Sequence, residues 1–384
     1  MKDKQFFMHV FKSLVNISTI SSSNKEVDQS NKKFIDVLAN YLSDFNFNIY
    51  IQKIPNSNDK FNLIASTHKI ENTYSEGLML SGHTDTVPCN ENLWQFNPFE
   101  LTRKKNRLYG LGTTDMKGFF AAMISLIRTL NIKNLKKPLY FLATADEETT
   151  MEGMKYFSNN NFGITPSLSI IGEPTSLEII QSHKGYLCKQ IQIQSRSAHS
   201  SNPYQEINTI EVMYEVIGCL MQLKQELQLK TNYKFNLPYS TMNFGCIQGG
   251  NAVNTICPLC TLQFDIRPIP IFSLAEIDVL LFKYLMPIEK KWKIKIKIVN
   301  LYDFIPGYDF KNLNLLKKLE YVLSKKSNYV DYCTEASFLN TVLPTIILGP
   351  GSIKQAHQSN EFFDIRYLDE TYKIFLKLIN YFCV

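Results

Sequence analysis

An imidazole and a carboxylate two residues apart, His83 and Asp85 in SGHTDTVP, follow the apolar run of residues 78–80. Along an extended chain residues i and i+2 face the same side, so this pair can meet at a strand end, one side chain holding a ligand and the other orienting it. The same eight residues also suit a turn with a solvated aspartate and a chance histidine, and partners elsewhere must decide. Just past other apolar runs stand Asp115 in GLGTTDMKG, Glu147 and Glu148 in ATADEETTMEG, Glu173 in IGEPT, His199 in SAHSSNP and His357 in GPGSIKQAHQSNE. The chain has six histidines. Three of them fall in these clusters, whereas His9, His68 and His183 lack such neighbours and read as surface or packing residues.

His83, Asp115, Glu148, Glu173 and His357 together form a donor set suited to a pair of borderline-soft divalent ions, provided one carboxylate bridges them. Without cations, that many acids in one cleft would find relief only in raised pKa values. Taken singly each acid has a plainer use; Asp115, for example, could favour the start of the following helix through its dipole. The segment GLGTTDMKG carries Gly110 and Gly112 but lacks the GxxxxGK[ST] spacing, and an aspartate at a helix start repels phosphate. Nucleophilic catalysis finds less support, since there is no GxSxG elbow and no cysteine in a recognisable triad motif.

These side chains need elements to position them. LMLSGH, LYFLATA at 139–145 and LSIIGEP at 168–174 are short apolar runs, while MKGFFAAMISLIRTL at 116–130 has the length and pattern of a helix. Runs separated by a helix predict a largely parallel sheet covered on both faces, with ligands gathered at the carboxyl ends of its strands. After Pro174 the texture changes. Residues 186–194 alternate, 205–224 read as a helix, 259–266 as a strand, 274–285 as a helix, and 292–298 alternate again. That pattern predicts helices on a small antiparallel sheet, with an exposed strand or helix available for dimerisation. Segments 311–323 and 341–350 and a terminal helix from Asp369 return to the first texture. The expected architecture is therefore α/β: a catalytic domain of residues 1–180 and 301–384, with a mixed, largely parallel sheet flanked by helices, and an inserted α+β lid or dimerisation domain at 181–300. A length of 384 residues suits two cores better than one.

Composition excludes little but orders the alternatives. The net charge of +6 is modest for this length, and the lysines are dispersed among acids, so nucleic acid is not an expected partner. The basic run at 290–293 reads as a solvated face or strand edge. The N-terminal MKDKQFFMHVFKSL does not read as a secretory signal, and no stretch approaches 18 charge-free apolar residues. Eight cysteines are scattered, with Cys257 and Cys260 of ICPLC the only close pair, which favours free thiols over a zinc knuckle or disulfide scaffold. A cytoplasmic protein away from membranes is expected.

SGHTDTVP, TTDMKG, DEE, EP and AHQ, in this order and spread along the chain, closely resemble the M20 family of co-catalytic metallopeptidases, which includes aminoacylases, glutamate-releasing carboxypeptidases and a desuccinylase. ENLWQFNPFEL, ADEETTMEG, AHSSNP, TEASF and LGPGSIKQAHQSNE narrow the resemblance to a branch that releases acetate from an N-acetyl amino acid bearing a terminal ammonium; a desuccinylase or dipeptidase is the alternative, and a non-catalytic assembly protein on this scaffold a more remote one. The resemblance implies a homodimer and two divalent ions per subunit, zinc first, with cobalt or manganese able to satisfy the same ligands. His83, Asp115 and Glu173 would hold one ion and Asp115, Glu148 and His357 the other, with Asp115 bridging. Asp85 would hold the imidazole of His83, and Glu147 would be the general base. His199 resembles a residue that reaches across a dimer to the partner's oxyanion.

For substrate recognition, Asn254 in GGNAVN and Arg267 in FDIRPIP are candidates to clamp a carboxylate, although Arg267 equally suits a strand-edge salt bridge. Glu335 and Asp331 are candidates for an ammonium, although TEASF equally suits a loop packed behind the metals. The chain departs from the family's usual look at Leu111, Phe119, Phe120, Ser195 and Arg196. These positions leave the ligand set intact and bear on cleft packing, the phenylalanine pair also suiting a helix–sheet core.

Overall fold

The computed structural model describes residues 2–55, 57, 59–69 and 76–384. It divides into two compact units: Met1–Gln181, Phe310–Asn328 and Thr334–Val384 form the first, and Ser182–Asp309 with Tyr329–Cys333 form the second. The second unit thus takes in 301–309 and a short return at Tyr329–Cys333, both of which the sequence pattern placed with the catalytic domain.

In the first unit a mixed sheet runs in the order Asn48–Lys53, Phe61–Ser66, Leu139–Thr144, Leu78–His83, Leu168–Ile171, Thr345–Ile347 and Ile179–His183. The four strands from Leu139–Thr144 to Thr345–Ile347 are mutually parallel, and their outer neighbours are antiparallel. Every residue of Leu78–His83 and Leu139–Thr144 is buried, as expected of strands covered on both faces. Helix Gly118–Ile127 is likewise buried along its whole length, and Phe119 and Phe120 fill the core there, Phe120 beside Phe34 and Phe141 and Phe119 beside Phe375.

That helix begins later than the sequence suggests. Thr113–Lys117 form a wide turn in which Asp115 has φ −120° and ψ 92° and Met116 is also non-helical. Asp115 therefore stands outside the helix, and the helix-start use considered for it does not apply. In a further antiparallel sheet Arg107–Tyr109 pairs with Thr102–Lys104 on one side and Phe362–Asp364 on the other, which brings the segment after His357 alongside this turn.

The second unit has a four-stranded antiparallel sheet in the order Thr241–Gly249, Leu259–Arg267, Leu187–Gln194 and Ile296–Asn300. Helices Thr209–Gln228 and Leu274–Trp292 share a core with it built from Ile191, Ile193, Val216, Leu220, Phe264 and Leu281. Leu187, Lys189, Ile191 and Ile193 are buried on alternate positions, the period of two that the sequence displays. The second helix starts at a capping box between Ser273 and Glu276 and runs to Trp292, so the alternation expected from 292 begins only at Ile296. Strand Thr241–Gly249 was not anticipated. All eight cysteines are free thiols. No helix among the described residues is long and apolar enough to cross a membrane.

Candidate metal centre

Parallel strands end together, and here their carboxyl ends deliver the polar side chains. Leu78–His83 ends on His83 itself, Leu139–Thr144 runs into Asp146, Glu147 and Glu148, and Leu168–Ile171 into Gly172 and Glu173. Past Thr345–Ile347, a loop with His357 at φ 58° returns to the same edge. Gly349 is needed for this convergence, because a Cβ there would lie 2.1 Å from the Gly172 carbonyl oxygen.

His83 is 1% exposed, and its Nδ1 lies 3.0 Å from the backbone carbonyl of Asp85. A proton on Nδ1 satisfies that carbonyl and leaves the Nε2 lone pair for a ligand. Nε2 faces Asp115 Oδ1 at 2.9 Å and Glu173 Oε1 at 3.9 Å. The other oxygen of Asp115, Oδ2, faces His357 Nε2 at 3.9 Å, and His357 Nε2 lies 3.0 Å from Glu148 Oε2. Asp115 thus presents one oxygen to each half of the cluster. Three sets of donor atoms lie within 4.8 Å of one another: His83, Asp115 and Glu173; Asp115, Glu148 and His357; and His83, Glu147 and Glu148.

The electrostatics of the cluster test whether cations fit. Burial pushes Glu147 well above the ordinary carboxylate range, and Glu173 and Glu148 beside it add to the rise. Burial and the charge of Asp115 do the same to Glu173, whose Oε1 is buried with no hydrogen-bond partner. Glu148 is also raised by burial, against the pull of His357. Burial opposes charge on His83, but its contacts with Asp115 and Asp85 prevail and raise its pKa well above the ordinary value. The bond to Glu148 brings His357 up to about 9. Carboxylates that cannot all ionise together and imidazoles that hold protons to offset them are the signs of a donor set fitted to positive charge.

The structure gives Asp85 more to do than orient an imidazole. Its carboxylate stands 3.7 Å from His83 Nδ1 and accepts the backbone N–H groups of Glu147 at 3.1 Å and Glu148 at 3.0 Å. It therefore fixes the backbone that carries both glutamates. The same turn is held from behind. Asp146, at φ 61°, accepts from Ser21 Oγ and pairs with Lys60 Nζ at 2.8 Å; Lys60 also pairs with Asp28 at 2.7 Å. Burial works against the charge on Lys60, but these bonds prevail and raise its pKa.

Of the remaining candidates, Glu335 borders the cluster and the others belong to the second unit. Glu335 is wholly buried, with Oε2 accepting from Thr144 Oγ1 at 2.9 Å, and burial pushes it up to about 8. In the second unit His199 is exposed, with Nδ1 2.8 Å from Ser201 Oγ, and Asn254 adjoins it, its carbonyl accepting the Ser200 N–H at 3.1 Å. Arg267 lies over the Tyr186 ring at 4.1 Å, with Nε 3.6 Å from Asp265. Asp331 is already engaged by the buried Lys184, 2.9 Å away. Lys60, Asp146 and Glu361 went unassigned in the sequence; Glu361 closes the AHQSNE segment, and its position there was the available signal.

Carboxylates and imidazoles at the strand ends of an α/β sheet, with an aspartate facing both imidazoles, are the donor set suited to a co-catalytic metallohydrolase. Residues 79–381 match the family model for peptidase family M20/M25/M40, and the chain belongs to that family. It is 48% identical over 379 residues to an acetylornithine deacetylase of Buchnera aphidicola subsp. Schizaphis graminum, covering 98% of both chains. It is 46% identical over 388 residues to the Pasteurella multocida acetylornithine deacetylase, covering 100% of both. Among solved structures, a Staphylococcus aureus tripeptidase has the same fold at TM-score 0.76 and 18% identity, covering 98% of both chains. A dinuclear metal-binding M20 peptidase of Bacillus subtilis matches at TM-score 0.69 and 12% identity, again over 98% of both.

Replacing Lys60 by methionine strands Asp28 and Asp146 without their cation, a change that costs roughly 3 kcal/mol when a buried pair is broken. Lys60→Met is expected to lower the unfolding free energy of chelator-treated protein, read from urea denaturation, by about that amount. It should also weaken metal uptake through the Glu147–Glu148 turn, and wild-type values in both measurements would refute the assignment.

Proposed function

We propose that the chain hydrolyses N2-acetyl-L-ornithine to L-ornithine and acetate, a step of arginine biosynthesis. The observation that carries this reading is near-full-length identity of 48% to an acetylornithine deacetylase, in a chain that retains His83, Asp115, Glu147, Glu148, Glu173 and His357 together. Eight free thiols fit a cytoplasmic setting.

His83, Asp115 and Glu173 would hold one divalent ion and Asp115, Glu148 and His357 the other, zinc first and cobalt as the alternative. Two such ions supply an acidified water and a polarised amide carbonyl. Glu147 takes a proton from the attacking water and delivers it to the leaving amine; its raised pKa suits a group that must hold that proton in between. Asp85 keeps the Glu147 backbone in place while this happens. Asn254 and Arg267 serve the substrate carboxylate, and Glu335, wholly buried, supports the strand ends from behind more readily than it meets an ammonium.

Glu147→Gln should keep two ions bound and lose turnover by roughly 10²–10⁴-fold, since the base is removed and the ligand count is not. Metal analysis beside acetate-release kinetics checks it, and near-normal turnover would sink the assignment. A panel of acetylornithine, acetylmethionine, succinyl-diaminopimelate and short dipeptides tests the substrate. Preference for acetylornithine is expected, and preference for the succinyl compound or a dipeptide would overturn the reading.

His199 acts in trans on this proposal: the second unit pairs two chains about a two-fold axis, and each His199 donates to the oxyanion in the partner's site. His199→Ala and Glu147→Gln protein, each inactive alone, should recover activity when refolded together. Random pairing makes about half the dimers mixed, each with one working site, so about one quarter of the wild-type rate is expected. No recovery in mixed dimers verified by mass spectrometry would rule out the trans role.

A further inference from the structure

Two of the three side chains in the second half of the cluster, Asp115 and His357, stand on irregular backbone. Asp115 belongs to a non-helical turn, and His357 to a loop at φ 58°, with 55% of its side chain exposed. The ring of His357 meets the Glu148 carboxylate, with Nε2 3.1 Å from Oε1 and 3.0 Å from Oε2. The pairing of Phe362–Asp364 with Arg107–Tyr109 brings the two segments alongside, but neither side chain lies in a strand or helix, so the last step of their separation is left to bonds between the loops.

Glu361 is 2% exposed, and both its carboxylate oxygens are turned into the loop that carries Asp115. Oε2 accepts the N–H of Gly112 at 2.8 Å, and Oε1 accepts those of Thr114 at 2.6 Å and Asp115 at 3.0 Å. The Glu361 carbonyl accepts the N–H of Gly110 at 3.2 Å, and Thr114 Oγ1 donates to the Phe362 carbonyl at 2.6 Å. Gly112 reaches this arrangement at φ 73°, and a Cβ there would lie 2.6 Å from the Thr86 methyl group. The loop's inward N–H groups, which an anion such as phosphate could otherwise seek, are thus taken by a carboxylate of the same chain.

We propose that Glu361 is a positioning residue that latches the Asp115 loop to the His357 segment and so sets the distance between two of the three ligands of the second ion, Asp115 and His357. The proposal rests on the two-ion reading above. Glu361 bonds the backbone of the Asp115 loop and acts through it and through the three residues that separate it from His357. The site of His83, Asp115 and Glu173 draws two of its three ligands from strand ends and depends on the latch less.

The test is calorimetric titration of chelator-stripped protein with Zn²⁺ and, separately, Co²⁺, whose visible spectrum reports coordination. Wild type should take up two ions. In Glu361→Gln one amide N–H₂ must oppose a loop N–H, so the first ion should bind nearly as in wild type and the second at least about tenfold more weakly. The Co²⁺ spectrum of the second site should change, and kcat should fall more than KM rises. Thr114→Val removes one latch bond and leaves the carboxylate, and should shift the second ion in the same direction by less; it carries the test if Glu361→Gln does not fold. Two ions bound at wild-type affinity in these variants would overturn the latch, as would equal weakening of both ions in proportion to lost folded protein. Fewer than two ions in wild type would overturn the two-ion reading, and the latch with it.

Discussion

Crowded carboxylates set the terms for the first unit. Asp85, Asp115, Glu147, Glu148, Glu173, Glu335 and Glu361 gather at one edge of a sheet, and burial pushes Glu147, Glu173, Glu335 and Glu361 above the ordinary carboxylate range, with neighbouring acids adding to the rise. Such a cluster is tolerable only if its members cannot move apart and if positive charge or N–H donors face them. Four parallel strands with wholly buried residues provide the first condition. Imidazoles, backbone N–H groups and the donor set's fit to cations provide the second. Helix Gly118–Ile127, apolar on every side, is the backing that lets an otherwise repulsive edge persist.

Within the cluster the acids divide into two uses. Asp115, Glu148 and Glu173 point their oxygens at imidazole nitrogens or leave them unpartnered, as donors awaiting an ion do. Asp85 and Glu361 spend theirs on backbone N–H groups of loops that carry other functional residues. Asp146 does both kinds of binding at one remove, taking Lys60 with its side chain and the N–H groups of Thr150 and Met151 with its carbonyl. A carboxylate accepting several N–H groups is a rigid clamp, and clamps of this sort replace regular secondary structure where the ligand loops have none.

Much of this was legible in the sequence. Short apolar runs ending in His83, the Glu147–Glu148 pair and Glu173 located strands and their carboxyl ends, because burial on both faces leaves a continuous apolar signature. The alternation of 187–193 located a half-buried strand for the same kind of reason. Strand Thr241–Gly249 escaped because it is an edge strand with most of its residues exposed, so no period of two marks it. The role of Asp85 was read from its spacing to His83, but that spacing says nothing of the Glu147 and Glu148 N–H groups it accepts, which come from another strand. Lys60, in the polar stretch before Phe61, carries no local sign that two distant aspartates will close on it.

The two units divide the problem of function as well as the chain. Every candidate metal ligand and the proposed base lie in the first unit, whereas His199, Asn254 and Arg267 lie in the second. Reaction class follows from strand ends, ligand spacing and a base, features that a sheet fixes and that a fold can keep while its sequence drifts. This is why peptidases at 12–18% identity share the architecture. The proposed substrate contacts stand on a separate core, where side chains can change without disturbing the sheet. Fold likeness at that identity therefore shows the architecture alone, and the acetylornithine reading has to rest on relatives similar through both cores, as those at 46–48% identity are.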